Sequence, residues 1–237
     1  MLDKPPQQSR SQETLDRIVD ATATLLQERP FEDVTIRDIV RRARCPIGSF
    51  YARFKSKDDL LPYLYERYDS GLDGRVSAKV DAIPSHTLSL RELCLGGVDL
   101  IVNEYVERRW LMREMALYAR RHPNALPPEI IARRAEVHAR PVALFLRLRD
   151  EIAHPNPARA VEVGLFTTSG AARDAILFGE APHATITRIS VDALKAVLAH
   201  SLHHFLVQPC PPPHACCSLP PAPRPTSSTK RAKRIRR

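Results

Sequence analysis

At 237 residues and 43% apolar content the chain can bury one large core or two smaller ones. The apolar part of its longest uncharged run, Ala196 to Cys210, is shorter than the roughly 20 apolar residues that cross a bilayer and carries three histidines before the run turns proline-rich, and the opening MLDKPPQQSRSQ has no apolar leader core, so a cytosolic protein with no membrane association is expected. Five cysteines without framework spacing argue against a secreted disulfide scaffold. The net charge of +9 is uneven: residues 1 to 57 hold 11 Lys/Arg against 8 Asp/Glu, residues 58 to 206 hold 18 against 19, and residues 207 to 237 hold 7 against none. Residues 35 to 57 of the first segment carry Arg37, Arg41, Arg42, Arg44, Arg53, Lys55 and Lys57 against Asp38 alone, and such local basicity points to a polyanion.

In chain order, Leu15, Ile18, Val19, Thr22, Leu25 and Leu26 keep the rhythm of one buried helical face, which predicts a helix over about 11–29 that stops at Pro30. Thr35 reads as the N-cap of a short second helix burying Ile36, Ile39, Val40 and Ala43. A turn through Arg44 and Cys45 follows, then a third helix over about 46–54, with Pro46 in its first turn. Ser56, with Asp59 three residues on, has capping-box spacing and opens a fourth helix running to about residue 80. Further helices are expected over 88–107, 109–121, 128–153, 158–178 and 191–207, broken at Pro84, Pro123, Pro127, Pro155 and Pro182.

A helix, a short helix, a tight turn and a second short helix make a helix-turn-helix, whose last helix enters the major groove of DNA. The stretch TIRDIVRRARCPIGSFYARFKSKDDLL resembles the DNA-binding signature of the TetR family of bacterial transcriptional regulators. The likeness rests on Thr35, Ile39 and Ala43, on Gly48, Ser49, Phe50 and Tyr51, on Phe54, and on Ser56, Lys57, Leu60 and Leu61. It covers about residues 10 to 61. The resemblance implies that Tyr51 donates to a phosphate, that Lys57 reaches the DNA backbone and that Thr35 touches it at the start of the second helix. Pro46, Ile47, Gly48 and Ser49 would face the bases: Gly48 permits close approach, Ser49 can hydrogen-bond and Ile47 can meet a thymine methyl. Arg37, Arg44 and Arg53 are candidates for either task, whereas Phe50 and Phe54 are expected in the core. The family usually has glycine where Arg44 stands, and an arginine there is expected to avoid positive φ.

The expected fold class is therefore all-α: an N-terminal three-helix helix-turn-helix domain (11–56) after a flexible start (1–10), then a helical regulatory and dimerisation domain (57–207) and a disordered Pro-rich basic tail (208–237). The resemblance implies a homodimer bound to palindromic double-stranded DNA, acting as a repressor in the bacterial cytoplasm at the nucleoid, and released by a small-molecule effector. The neutral body favours an apolar effector, with Tyr65, Tyr68, Trp110, Met112, Met115, Tyr118 and Phe145 as candidate pocket residues. Val161, Leu165, Thr168, Ala172, Ala175 and Ile176, with Leu194, Val197, Leu198, Ser201, Leu202 and Phe205, have the spacing of a dimer interface on the last two helices.

Catalytic motifs are missing: there is no GxSxG, HExxH, Walker loop, GxGxxG or CxxC, and no catalytic residue or cofactor is expected. His200 and His204 stand one helical turn apart without a third ligand, so no metal site is expected. Cys210, His214, Cys216 and Cys217 form a loose cluster in a tail of eight prolines that ends with six cations in its last eight residues. Such a tail adds sequence-independent phosphate affinity. It keeps open a second reading, a nonspecific nucleic-acid-binding protein, and an all-helical enzyme is the more distant third.

Overall fold

A computed structural model describes residues 6–81, 88–122, 128–180 and 189–209. The basic tail, its Cys/His cluster, and Pro84, Pro123, Pro127 and Pro182 lie outside the described residues. Nine α-helices are described, with no strand among the described residues: α1 (Pro6–Glu28), α2 (Ile36–Arg42), α3 (Ile47–Tyr51), α4 (Leu61–Asp81), α5 (Leu90–Glu107), α6 (Arg109–Arg121), α7 (Pro128–Phe145), α8 (Pro157–Leu177) and α9 (Val191–Val207). Single 3-10 turns precede α2 at Phe31–Asp33 and α4 at Asp58–Leu60, and a longer 3-10 stretch follows α7 at Leu146–Glu151. None of the described helices is long and apolar enough to cross a membrane.

Local chemistry explains most boundaries. Thr35 and Asp38 form a reciprocal capping box at the start of α2, and Ser89 and Glu92 repeat it for α5. Asn156 caps α8, with Pro157 in its first turn, and Ser190 caps α9. Several boundaries differ from the sequence reading, and the third helix, expected over about 46–54, spans only Ile47–Tyr51, leaving Phe54 beyond its end. The first helix begins at Pro6, so residues 6–10 are helical rather than part of a flexible start, and Arg53 anchors Ser11 by hydrogen bonds to its carbonyl (3.2 Å) and hydroxyl (3.0 Å). The fourth helix opens with a 3-10 turn because the Asp59 carboxylate gathers the Lys55 and Ser56 N–H groups (2.7 and 3.0 Å). The seventh helix ends at Phe145 and continues as 3-10 turns, where Leu148 leaves helical geometry.

Two apolar cores form. The first joins Ile18, Leu26, Val34, Ile39, Phe50 and Phe54 to Leu64, Tyr65 and Tyr68 of α4, Leu111 and Met115 of α6, and Ile130 of α7. The second lies among α5, the end of α7, α8 and α9, around Val98, Phe145, Val161, Leu198 and Leu206. Met112 packs against both. The cores thus do not divide at residue 57: α4 and α6 close the first core, while α5, which lies between them in the chain, belongs to the second.

Candidate functional site

The helix-turn-helix is built on the first core. Phe50 and Phe54 are fully buried, their rings 5.1 Å apart, and Tyr51 meets Phe50 edge-on at 5.6 Å. With those two rings inward, α3 turns its other side out: Ile47 is 46% and Tyr51 56% exposed, and Pro46 and Gly48 are exposed beside them. A Cβ added at Gly48 would meet nothing within 4 Å, so no neighbour inside the protein requires glycine there. Ser49 is half-buried.

The turn between α2 and α3 keeps the geometry glycine would give. Arg44 adopts φ 51°, and Cys45 N–H and Arg44 N–H donate to the Val40 and Arg41 carbonyls (3.1 and 3.3 Å) in a Schellman closure of α2. The expectation that arginine avoids positive φ is thus corrected: the orphan carbonyls of α2 need that turn, and their bonds offset a left-handed residue costing about 1 kcal/mol. Arg44→Gly is expected to stabilise the protein by about 1 kcal/mol, read as a higher denaturation midpoint at unchanged slope.

The cations divide by partner. Asp38 binds Arg41 (2.6 Å) and Arg29 (2.9 Å), and Glu28 binds Arg42 (2.9 Å). Arg53 donates to the Ser49 carbonyl (2.7 Å) as well as to Ser11, so it joins α3 to α1. Lys57 is turned inward: its ammonium donates to the carbonyls of Phe31 (2.5 Å) and Val34 (2.8 Å) and lies 4.4 Å from the Phe31 ring centroid. The DNA contact expected of Lys57 therefore meets a side chain already committed to the turn between α1 and α2. Thr35 is similar, because its hydroxyl donates to Asp38 (2.7 Å) and accepts from the Asp38 N–H, and its own N–H is taken by the same carboxylate (3.2 Å). Arg37, Arg44 and Lys55 form no ion pair among the described residues and are exposed, Arg44 in the turn before α3 and Lys55 shortly after it.

Those Thr35 hydrogen bonds, then the charges of Arg29 and Arg41, hold the Asp38 carboxyl below its ordinary value of 3.8. A depressed carboxylate stabilises the fold above its unfolded value and loses that contribution as pH falls through the folded one. The melting temperature is expected to fall as pH drops from 5 to 3, and to fall less steeply in Asp38→Asn.

The sequence from residue 18 to 64 matches the model of the bacterial regulatory proteins of the tetR family. Over this span the chain is similar to the DNA-binding domain of TetR-family regulators. An uncharacterized HTH-type transcriptional regulator of Bacillus subtilis (strain 168), YwcC, is 40% identical over 60 residues, which is 25% of this chain and 27% of that relative. The match thus spans about a quarter of the curated relative's length. Over the whole fold, a TetR-family regulator from Streptomyces coelicolor aligns with a TM-score of 0.54 at 18% identity, covering 82% of this chain and 80% of its own. A putative TetR-family regulator from Mesorhizobium loti aligns at 0.53 and 18%, covering 83% and 96%. The helical body behind the helix-turn-helix therefore has the fold of those regulators.

That body places the remaining candidates differently from the sequence reading. Tyr65, Tyr68 and Met115 are buried in the first core, with Met112 and Tyr118 packed at its edge, whereas Phe145 is buried in the second against Gly97; Trp110 is half-buried under the Arg109 guanidinium, 4.6 Å away. Apart from Trp110, these residues are divided between the two cores, because aromatic character cannot tell which of two cores a side chain joins. The candidate dimer residues also split. Val161, Thr168, Ala172, Ile176, Leu194, Leu198 and Leu202 are buried in the protomer's own core and have no surface for a partner. Leu165 and Ala175 are half-buried, and Val197 (53% exposed), Ser201 and Phe205 (41%) face outward. Phe166, at 75% the most exposed large apolar side chain among the described residues, was not among the sequence candidates. Its signal was an apolar residue one position off the inward stripe of α8. His200 and His204 stack at 6.1 Å on the exposed side of α9, and no group of three metal-binding side chains forms among the described residues.

Proposed function

We propose that the chain is a ligand-responsive, TetR-like transcriptional repressor that binds a palindromic DNA operator as a homodimer. The observation that carries this reading is α3, whose aromatic side is locked in the core while Ile47, Gly48 and Tyr51 stand outside with unpaired cations nearby. Tyr51 offers a hydroxyl to a phosphate, Ile47 an apolar contact to a base, and Gly48 room for the backbone to approach. Arg37, Arg44 and Lys55 supply the sequence-independent attraction. TetR-family regulators are generally not enzymes, and no catalytic role is proposed.

Two-fold symmetry follows from the need to set two recognition helices about 34 Å apart on one duplex face. The surface suited to it is the outer side of α8 and α9, where Phe166, Val197 and Phe205 leave apolar area in water. Phe166→Glu tests that face, because sedimentation should then report a monomer. The DNA reading is tested by selection on random duplexes. Recovery of a short palindrome, bound more weakly by Tyr51→Phe, supports the regulator; unpatterned binding that weakens steeply with salt supports nonspecific attachment through the tail instead.

A further inference from the structure

A cavity of about 110 Å³ opens where α1, α4 and α6 meet. Gln27 of α1 stands on one wall, Arg67, Tyr68 and Arg75 of α4 on another, and Arg108 at the start of α6 on the third. Three arginines in so small a space repel one another unless anions hold them. Arg67 is matched by Asp20 of α1, 2.6 Å away. The others converge on one carboxylate: Glu104 takes the Arg108 Nε–H at 3.0 Å and the Tyr68 hydroxyl at 3.2 Å, with Arg75 Nε at 3.3 Å and Lys79 Nζ at 4.0 Å. One negative charge thus faces three positive ones. Arg75 Nε is buried and ion-paired with Glu104 without hydrogen-bond geometry, while Arg75 Nη2 donates to the Tyr68 carbonyl (3.3 Å), and all of the Glu104 cations are mostly shielded from water, at 25–35% side-chain exposure. The site carries an excess of cationic donors around a space that no protein acid fills.

We propose that this cavity binds a small oxyanion, a short carboxylate or phosphate, and that its occupancy regulates DNA binding. A guanidinium fork matches two oxygens of either group, and a partly desolvated setting strengthens such bonds. The volume admits a few heavy atoms and excludes a drug-sized apolar molecule. Position gives the regulatory consequence: α1 packs under the recognition helix through the first core, so an anion joining Gln27 to Arg75 and Arg108 fixes α1 against α4 and α6. This charged effector differs from the apolar one that the composition of the body suggests. The inference rests on the regulator reading only for its consequence, since the binding itself needs no DNA.

The test uses the full-length protein at fixed ionic strength, titrated with inorganic phosphate, acetate or chloride while its melting temperature is followed. Phosphate or acetate should raise it saturably, by at least ~2 °C, and chloride should not. Arg108→Gln should remove the rise. Because that change also disturbs Glu104, Gln27→Glu is the second variant: it leaves the Glu104 cluster whole, keeps the protein folded and repels the anion. No saturable rise with either oxyanion, or an equal rise in Gln27→Glu, overturns the site. A rise that Gln27→Glu removes, with operator affinity unchanged at saturating anion, retains the site and overturns its regulatory role; failure to bind any operator, with or without anion, strikes the regulator reading instead.

Discussion

Lys57→Met is expected to lower the unfolding free energy by about 2–3 kcal/mol while leaving the salt dependence of DNA binding unchanged. Methionine keeps the length and the apolar stem but brings no donor. The carbonyls of Phe31 and Val34 then lose a charged partner, and the Phe31 ring loses its cation. These groups close the turn that sets α2 against α1, so the loss should appear in denaturant unfolding of the whole chain. The second measurement separates this role from a phosphate contact. Removing one phosphate contact lowers the slope of log affinity against log salt by about 0.9. A slope reduced by that amount in Lys57→Met, with stability intact, would show that the side chain leaves the turn to reach DNA.

Gly48→Ala should move stability and binding in opposite directions. A methyl group at this position touches nothing in the protein, and glycine is a poor helix residue, so alanine is expected to stabilise α3 by about 0.5–1 kcal/mol. The same methyl stands on the exposed side of the recognition helix, beside Ile47 and Tyr51, where the helix must come close to base edges. Operator affinity is expected to fall by roughly tenfold to a hundredfold, about 1.4–2.8 kcal/mol. Thermal unfolding and a binding titration on the same preparation check both signs. A variant that is more stable and binds equally well would mean that this side of α3 does not meet DNA.

The helix-turn-helix was legible because its signals are local. Thr35 as a cap, Pro46 at the start of α3 and the inward pair Phe50 and Phe54 each act within a few residues, and the sequence expectation for them needed no tertiary information. α6 and α9 were readable to the residue for the same reason, since apolar periodicity runs along both and the Ser190 side chain caps the start of α9. What lay beyond reach was partnership at a distance. Periodicity on α8 and α9 reveals an apolar stripe but not whether it meets its own protomer, so Val161 and Leu202 looked like interface residues and proved to be core, while Phe166 was passed over. Arg44 was misjudged because the need of the Val40 carbonyl for a donor outweighs the side chain's preference. Lys57 carries a charge that composition assigns to solvent, and only the folded turn shows its three-carbonyl cradle.

The interleaving of the two cores bears on how the chain folds. Helices α1 to α3 cannot complete their core until Leu64 and Tyr65 of α4 and, much further along the chain, Leu111 and Met115 of α6 have arrived. During synthesis the recognition helix therefore waits for residues more than fifty positions downstream, and closing such distant contacts slows folding relative to a self-contained three-helix unit. The DNA-binding surface becomes rigid only after the body that regulates it has begun to assemble.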